Sequence, residues 1–264
     1  MTLTLTNGKR DVTVEPPLMN SSGSLGFSDE GRNLMDLRGL GAFVTNPISR
    51  ARRSPAHGPN LIRFLGGFLL HTGHPNPGLS AILRLHRRRW QSLPCPLFAH
   101  LQAMDPSELE AMLRGLESIE EISAVEMGLE GDDPAHCREL VRVAVASQLP
   151  VLARLPLNSL NPLAYRIAEL GVAALVVGPP RGTMPAVGGG RVSGRLYGPA
   201  LLPLSLRAVE ELAARLPVPV IGSGGIQRRE DVDAMLQAGA SAVQLDFALW
   251  TEPEAVLAGA PLNL

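Results

Sequence analysis

Polar side chains follow short apolar runs at intervals along this chain. They are Asn20 and Ser22, Thr45 and Asn46, His100 and Gln102, Glu126 and Glu130, Arg154 and Asn158, and Asp246. Brought together, His100, Glu126 and Arg154 could move a proton and stabilise developing charge, with Glu130 a further candidate base. The competing reading is that each is a buried polar residue satisfied by its neighbours. Gly222-Ser223-Gly224-Gly225 breaks the same series. Glycines between a strand and a helix let backbone N–H groups converge on an anion. His71, His74 and His100 are of a type that ligates zinc, but their spacing matches no closed site and no metal is expected.

The elements that must position these residues alternate. The run from Pro217 to Asp246 reads as strand, glycine turn, helix and strand, with Val232, Met235 and Leu236 on one helix face. Asn7-Gly8 marks a hairpin at the start. Strands are expected at 17–19, 41–45, 96–100, 122–127, 150–155, 173–177, 218–221 and 242–245. Helices are expected near 30–37, after 78, from Asp105-Pro106, at 134–146, after each of strands five and six, and at 202–216, 229–238 and 252–258. The segment 61–70 has no assignment. Eight such units over 264 residues predict an α/β fold, a (β/α)8 TIM barrel with an N-terminal β-hairpin, as one domain over 1–264. In such a barrel the chemistry sits where strands run into their following loops.

Bulk composition narrows the function. The formal net charge is −1 with 19% charged residues, so neither nucleic acid nor a membrane surface is an expected partner. No apolar run approaches about 20 residues. Cys95 and Cys137 are too few for a disulfide framework, and the cytoplasm is the expected compartment. The basic loop with Arg50, Arg52 and Arg53 could close over an anionic ligand or be solvated.

Five segments, in order, carry a resemblance: MNSSGSLGF (19–27), LGAFVTNPIS (40–49), HTGHPNPG (71–78), YGPALLPLSLRAV (197–209) and PVIGSGGI (219–226). They resemble the dihydroorotate dehydrogenase family, in particular its soluble class 1 flavoproteins of pyrimidine metabolism. The resemblance implies an FMN-dependent oxidoreductase acting on CH–CH groups of a small-molecule substrate. Its FMN would be held by Ser22, Gly23, Arg154, Gly198, Gly224 and Gly225, with Arg154 where the family has lysine. A homodimer, or a pairing with a paralogous subunit, is also implied.

The chain departs from the family at several positions. Gly131 stands where the family has its catalytic cysteine, Asn46 where it has lysine, and Leu70 and Pro179 where it has asparagines. Asp246-Phe247 replaces Gly-Thr after the last strand, and a carboxylate there opposes a phosphate dianion unless it points away or is protonated. The expectation is therefore a flavoenzyme with an altered substrate, or a catalytically silent barrel acting as a binding or scaffold subunit. A flavin-free barrel for a phosphorylated ligand is the third reading.

Overall fold

The structure, a computed structural model, describes residues 2–30, 35–129, 133–160, 162–186, 188–253 and 256. It opens with the expected antiparallel hairpin, β1 (Leu3–Thr6) and β2 (Asp11–Val14). The barrel strands follow: β3 (Leu18–Asn20), β4 (Phe43–Val44), β7 (Leu97–Leu101), β8 (Ile122–Gly128), β9 (Val151–Pro156), β10 (Ala174–Gly178), β13 (Val220–Ser223) and β14 (Ala242–Leu245). All are parallel, in the order β3-β14-β13-β10-β9-β8-β7-β4. Helices α1 (Leu79–Trp90), α2 (Pro106–Glu117), α3 (Pro134–Val145), α4 (Leu163–Ala168), α5 (Leu202–Ala213), α6 (Arg229–Gln237) and α7 (Phe247–Thr251) connect them. Asp105 and Asp133 start α2 and α3 by accepting from the amides of Glu108 and Ala135, each with proline at the first helical position. No helix of the described residues is long and apolar enough to cross a membrane.

The last barrel seam is held by few backbone contacts, a bridge from Met19 to Ala42 and a bond from Gly41 N to Leu18 O of 2.8 Å. Asn20 extends it with its side chain. Its amide oxygen accepts from Val44 N at 2.8 Å and its amide nitrogen donates to Val44 O at 2.7 Å. One side chain thus stands in for a strand peptide where β4 is only two residues long.

The inward face follows the period of two along every strand. Met19, Val44, Phe98, Ala124, Leu152, Val176, Ile221 and Ala242 form an apolar interior. Leu3, Leu5, Val12 and Val14 of the hairpin pack into the same cluster. Lys9 and Asn7 bond carbonyls at 146–148 before β9, so the hairpin closes the N-terminal end. Outside, the opposite strand faces and the helices form a second apolar layer. On α1 the buried residues are Leu79, Ile82 and Trp90, while Leu85 is exposed.

Two expectations are corrected. Strand six is followed by a hairpin rather than a helix: β11 (Arg181–Pro185) and β12 (Arg191–Tyr197). The turn residues Gly188, Gly189 and Gly190 all have positive φ, which a helix cannot carry. The unassigned segment is a second hairpin, β5 (Leu61–Phe64) and β6 (Gly67–Leu70), turning at Leu65-Gly66. β12 pairs with β6, so the hairpins form one four-stranded antiparallel sheet, β11-β12-β6-β5. Both follow the C-terminal ends of barrel strands, and the sheet overhangs the mouth. The helix expected near 30–37 falls partly outside the described residues; within them Leu37–Gly39 is a single 3-10 turn. Toward the C-terminus α7 comes earlier than the helix expected at 252–258, most of which lies outside the described residues.

Asn20→Ala leaves a buried N–H and C=O of Val44 without partners, at about 1–3 kcal/mol each. The expected loss is about 3 kcal/mol of unfolding free energy, measured by urea denaturation against wild type.

Candidate functional site

Two residues beyond the apolar interior, the inward positions turn polar: Ser21, Asn46, His100, Glu126, Arg154, Ser223 and Gln244. Glu126 is fully buried and lies at their centre. His100 Nδ1 is 2.7 Å from Glu126 Oε1, and Arg154 Nη1 reaches the same oxygen at 3.5 Å. Gln244 Nε2 donates to Glu126 Oε2. Arg154 then crosses the throat to donate to Ser21 Oγ at 2.7 Å. His100 and Arg154, two of the three candidate catalytic residues, are therefore brought together; Glu130 lies outside the described residues.

Burial would push Glu126 up, but the His100 hydrogen bond, the Arg154 charge and Gln244 outweigh it and hold it below the usual carboxylate range. Burial lowers His100 despite its carboxylate partner. An ionised carboxylate only accepts, so the neutral imidazole carries its proton on Nδ1. Its Nε2 lone pair then faces Gly128, where a Cβ would lie 3.0 Å away, and Gln102. Gln102 Oε1 and Gln244 Oε1 are buried without a partner among the described residues. Gly178 clears the path of Arg154, whose Nε would be 3.0 Å from a Cβ there.

Above the throat the overhanging sheet makes two walls. Arg154, Arg181 and Arg195 surround a crevice with Gly128, Pro156, Gly178 and Pro179. Beside it Arg53, His71, His74, Gln102, Arg181 and Arg195 line a cleft of about 190 Å³. Arg195 Nη2 contacts the ring nitrogens of His74. Asn158 pins this hairpin, bonding both N and O of Arg181 at 3.1 Å. Asn46 turns aside to accept from Gly26 N at 3.2 Å. His71 and His74 thus line the cleft, while His100 is committed to Glu126 below it.

Packing requires the rim glycines to be small. A Cβ at Gly225 would lie 2.2 Å from Leu202 N, at Gly198 2.1 Å from Gly66 O, and at Gly224 2.7 Å from Ser205 Oγ; all three have positive φ. Ser22 Oγ donates to Thr45 O at 2.9 Å. Gly23 has open space beside it. Asp246 is buried; its Oδ1 accepts from Phe247 N at 2.5 Å and its Oδ2 from Ser223 Oγ at 3.5 Å. Burial pushes Asp246 up, opposed by the Phe247 amide, Arg154 and Ser223. FMN, which the resemblance implies, would bring a phosphate dianion to this rim. There the Phe247 amide is already bonded to Asp246, and with burial favouring the uncharged acid it is this lost donor, rather than a repelling charge, that counts against the fit. The donor set does not fit a flavin phosphate.

Neither thiol substitutes for a base at the mouth. Cys137 is buried in the layer between α3 and the barrel, and Cys95 precedes β7 at the opposite end, its thiol pushed up to about 11 by burial.

Fold and throat define a (β/α)8 barrel with its polar site at the C-terminal mouth. Comparison with known proteins places it further. The family model described as Dihydroorotate dehydrogenase matches residues 183–258. The catalytic subunit of dihydroorotate dehydrogenase B (NAD(+)) of Trichlorobacter lovleyi is 30% identical, over 90% of this chain and 85% of the relative. The corresponding subunit of Desulforudis audaxviator is 28% identical, over 94% and 87%. Dihydroorotate dehydrogenase A (fumarate) of Lacticaseibacillus paracasei is 28% identical, over 92% and 91%. The chain belongs to the dihydroorotate dehydrogenase family.

Ser21, Ser223 and Gln244 escaped the sequence reading, although counting by twos from Met19, Ile221 and Ala242 leads to them. Arg181 and Arg195 carry no local signal, because only the pairing of two distant hairpins brings them over the mouth.

Glu126→Ala leaves Arg154 and His100 without their buried partner, and thermal unfolding is expected to show a loss of about 3 kcal/mol or more. Asp246 behaves oppositely to a salt-bridged acid. Its folded pKa is raised above 3.8, so its stabilisation is complete below that value and lost as pH rises through the folded one. Asp246→Asn should therefore gain in melting temperature over wild type as pH climbs from about 4 to about 8, the difference vanishing toward the acid end.

Proposed function

We propose that this chain is a binding member of the family: a barrel that holds a small anionic ligand at its mouth and does not oxidise dihydroorotate through FMN. The observation that carries this reading is that Arg154, Arg181 and Arg195 surround one crevice, and that Arg181 and Arg195 also line the cleft beside it with Arg53, His71 and His74. Guanidinium groups offer paired donors that suit carboxylates and phosphates. The misfit of Asp246 to a flavin phosphate and the absence of a thiol at the mouth support the negative half.

Association as a homodimer, or with a paralogous subunit, belongs to the same proposal. It is supported by β5, an edge strand that exposes Leu61 beside the fully exposed Leu65. No disulfide joins Cys95 and Cys137, which supports a cytoplasmic setting.

The test begins with the visible spectrum of the purified protein and a titration with FMN. The expected protein is colourless, takes up no flavin and leaves dihydroorotate unchanged. Calorimetric titration with orotate and with pyrophosphate is expected to give saturable binding of at least one, about tenfold weaker in Arg195→Gln. Yellow protein whose flavin is bleached by dihydroorotate overturns the proposal in favour of a flavoenzyme. Failure of both anions to bind removes its positive half.

A further inference from the structure

Charge is unevenly distributed along this chain. Between Asp36 and Asp105 there are nine arginines and no acidic residue, although the formal net charge of the whole is only −1. Two parts of that segment meet on the outer flank of the barrel. Leu79 N, at the start of α1, donates to Ser49 O at 2.9 Å, and a Cβ on Gly78 would lie 3.0 Å from Arg50 O and from Arg52 N. The loop carrying Arg50 and Arg52 therefore lies against the first turn of α1, the helix that carries Arg84, Arg87, Arg88 and Arg89. All six arginines are exposed.

The buried face of α1, Leu79, Ile82 and Trp90, turns these side chains outward. Arg84 and Arg88 stand one turn apart on the outward face, and Leu85 beside them is 56% exposed. Arg87 and Arg89 have carboxylates nearby, Glu121 at 3.7 Å and Asp29 at 3.6 Å. Among the described residues Arg50, Arg52, Arg84 and Arg88 form no ion pair. Like charges one turn apart oppose a helix, so Arg84 and Arg88 weaken α1 in the free protein. Carboxylates supplied from outside would remove that repulsion.

We infer that this face is a docking surface for an acidic protein segment, with its carboxylates at Arg50, Arg52, Arg84 and Arg88 and an apolar side chain on Leu85. Charge complementarity sets the sign of the occupant, and arginine is a residue that protein interfaces favour. Leu85 gives a polypeptide an aliphatic contact that a nucleic acid would not use, and the tryptophan of α1, on which a base could stack, is buried. A twofold contact through this face would set arginine against arginine, so a second copy does not fit it. The surface lies on the flank of the barrel and does not depend on what the mouth binds.

The experiment uses the full chain and a fluorescein-labelled peptide of repeated Glu-Leu-Glu-Glu units, followed by anisotropy, with the same peptide carrying glutamine for glutamate as its neutral counterpart. Wild type is expected to bind the acidic peptide saturably and to ignore the neutral one. The double variant Arg84→Gln/Arg88→Gln removes two exposed charges without an ion pair. It should fold normally, melt no lower than wild type and bind the acidic peptide about fivefold more weakly. Arg142→Gln/Arg207→Gln removes the same charge from exposed positions on α3 and α5 and should bind as wild type does. Absence of saturable binding, or equal affinity of wild type and Arg84→Gln/Arg88→Gln, overturns the inference. So does equal weakening by the two double variants, or tighter binding of a duplex RNA than of the peptide. Self-association of wild type that Arg84→Gln/Arg88→Gln abolishes, read by sedimentation, overturns it in favour of a second copy.

Discussion

A single carboxylate buried inside the barrel organises much of this molecule. Glu126 has no access to water, and an ion in such a place costs several kcal/mol unless partners surround it. Those partners come from four other places around the ring: His100 on β7, Arg154 on β9, Gln244 on β14 and, through Arg154, Ser21 beyond β3. Each must project inward at one height, so the period-two parity of all these strands is coupled. Gly128 and Gly178 are small because the His100 ring and the Arg154 stem pass beside them.

The same network decides what the mouth can do. With Glu126 ionised, His100 presents a lone pair on Nε2 and Arg154 stays charged in the throat, beneath the arginines of the β11–β12 hairpin. A second buried carboxylate, Asp246, sits two positions beyond Gln244 and binds the amide of its own neighbour. The rim therefore supplies an internal acceptor where an anionic ligand would otherwise compete for that amide. The positive surface is displaced toward β11 and β12, away from the glycine turn. Family membership and site chemistry thus come apart, as folds and functions commonly do.

The overhanging sheet divides the space above the barrel. β6 and β12 pair through Leu70 and Arg195, Leu69 and Leu196, and Phe68 and Tyr197. Arg195 and Leu70 line the basic cleft, and Phe68 and Tyr197 meet the ring of Trp250. The two pairs lie two positions apart on one face of the sheet, with Arg63 opposite Phe68 on the neighbouring strand.

The order of barrel strands, the caps at Asp105 and Asp133 and the hairpin at Asn7-Gly8 were legible in the chain, because they rest on local propensity and on periodicity. His100, Glu126 and Arg154 were legible as a set for the same reason: each interrupts a buried apolar run near its C-terminal end. The glycine turn was visible too, and Gly198, Gly224 and Gly225 read as donors for a phosphate. A second reason for their size was not visible: Gly66, Ser205 and Leu202 pack against them. That packing joins residues far apart in sequence, so only the folded chain reveals it. Likewise no local pattern announces that 61–70 will pair with 191–197, since a β ladder's stability resides in its partner. The chain by itself determined the barrel and which polar groups would face inward; the tertiary structure decided which of them meet, and which arginines stand above them.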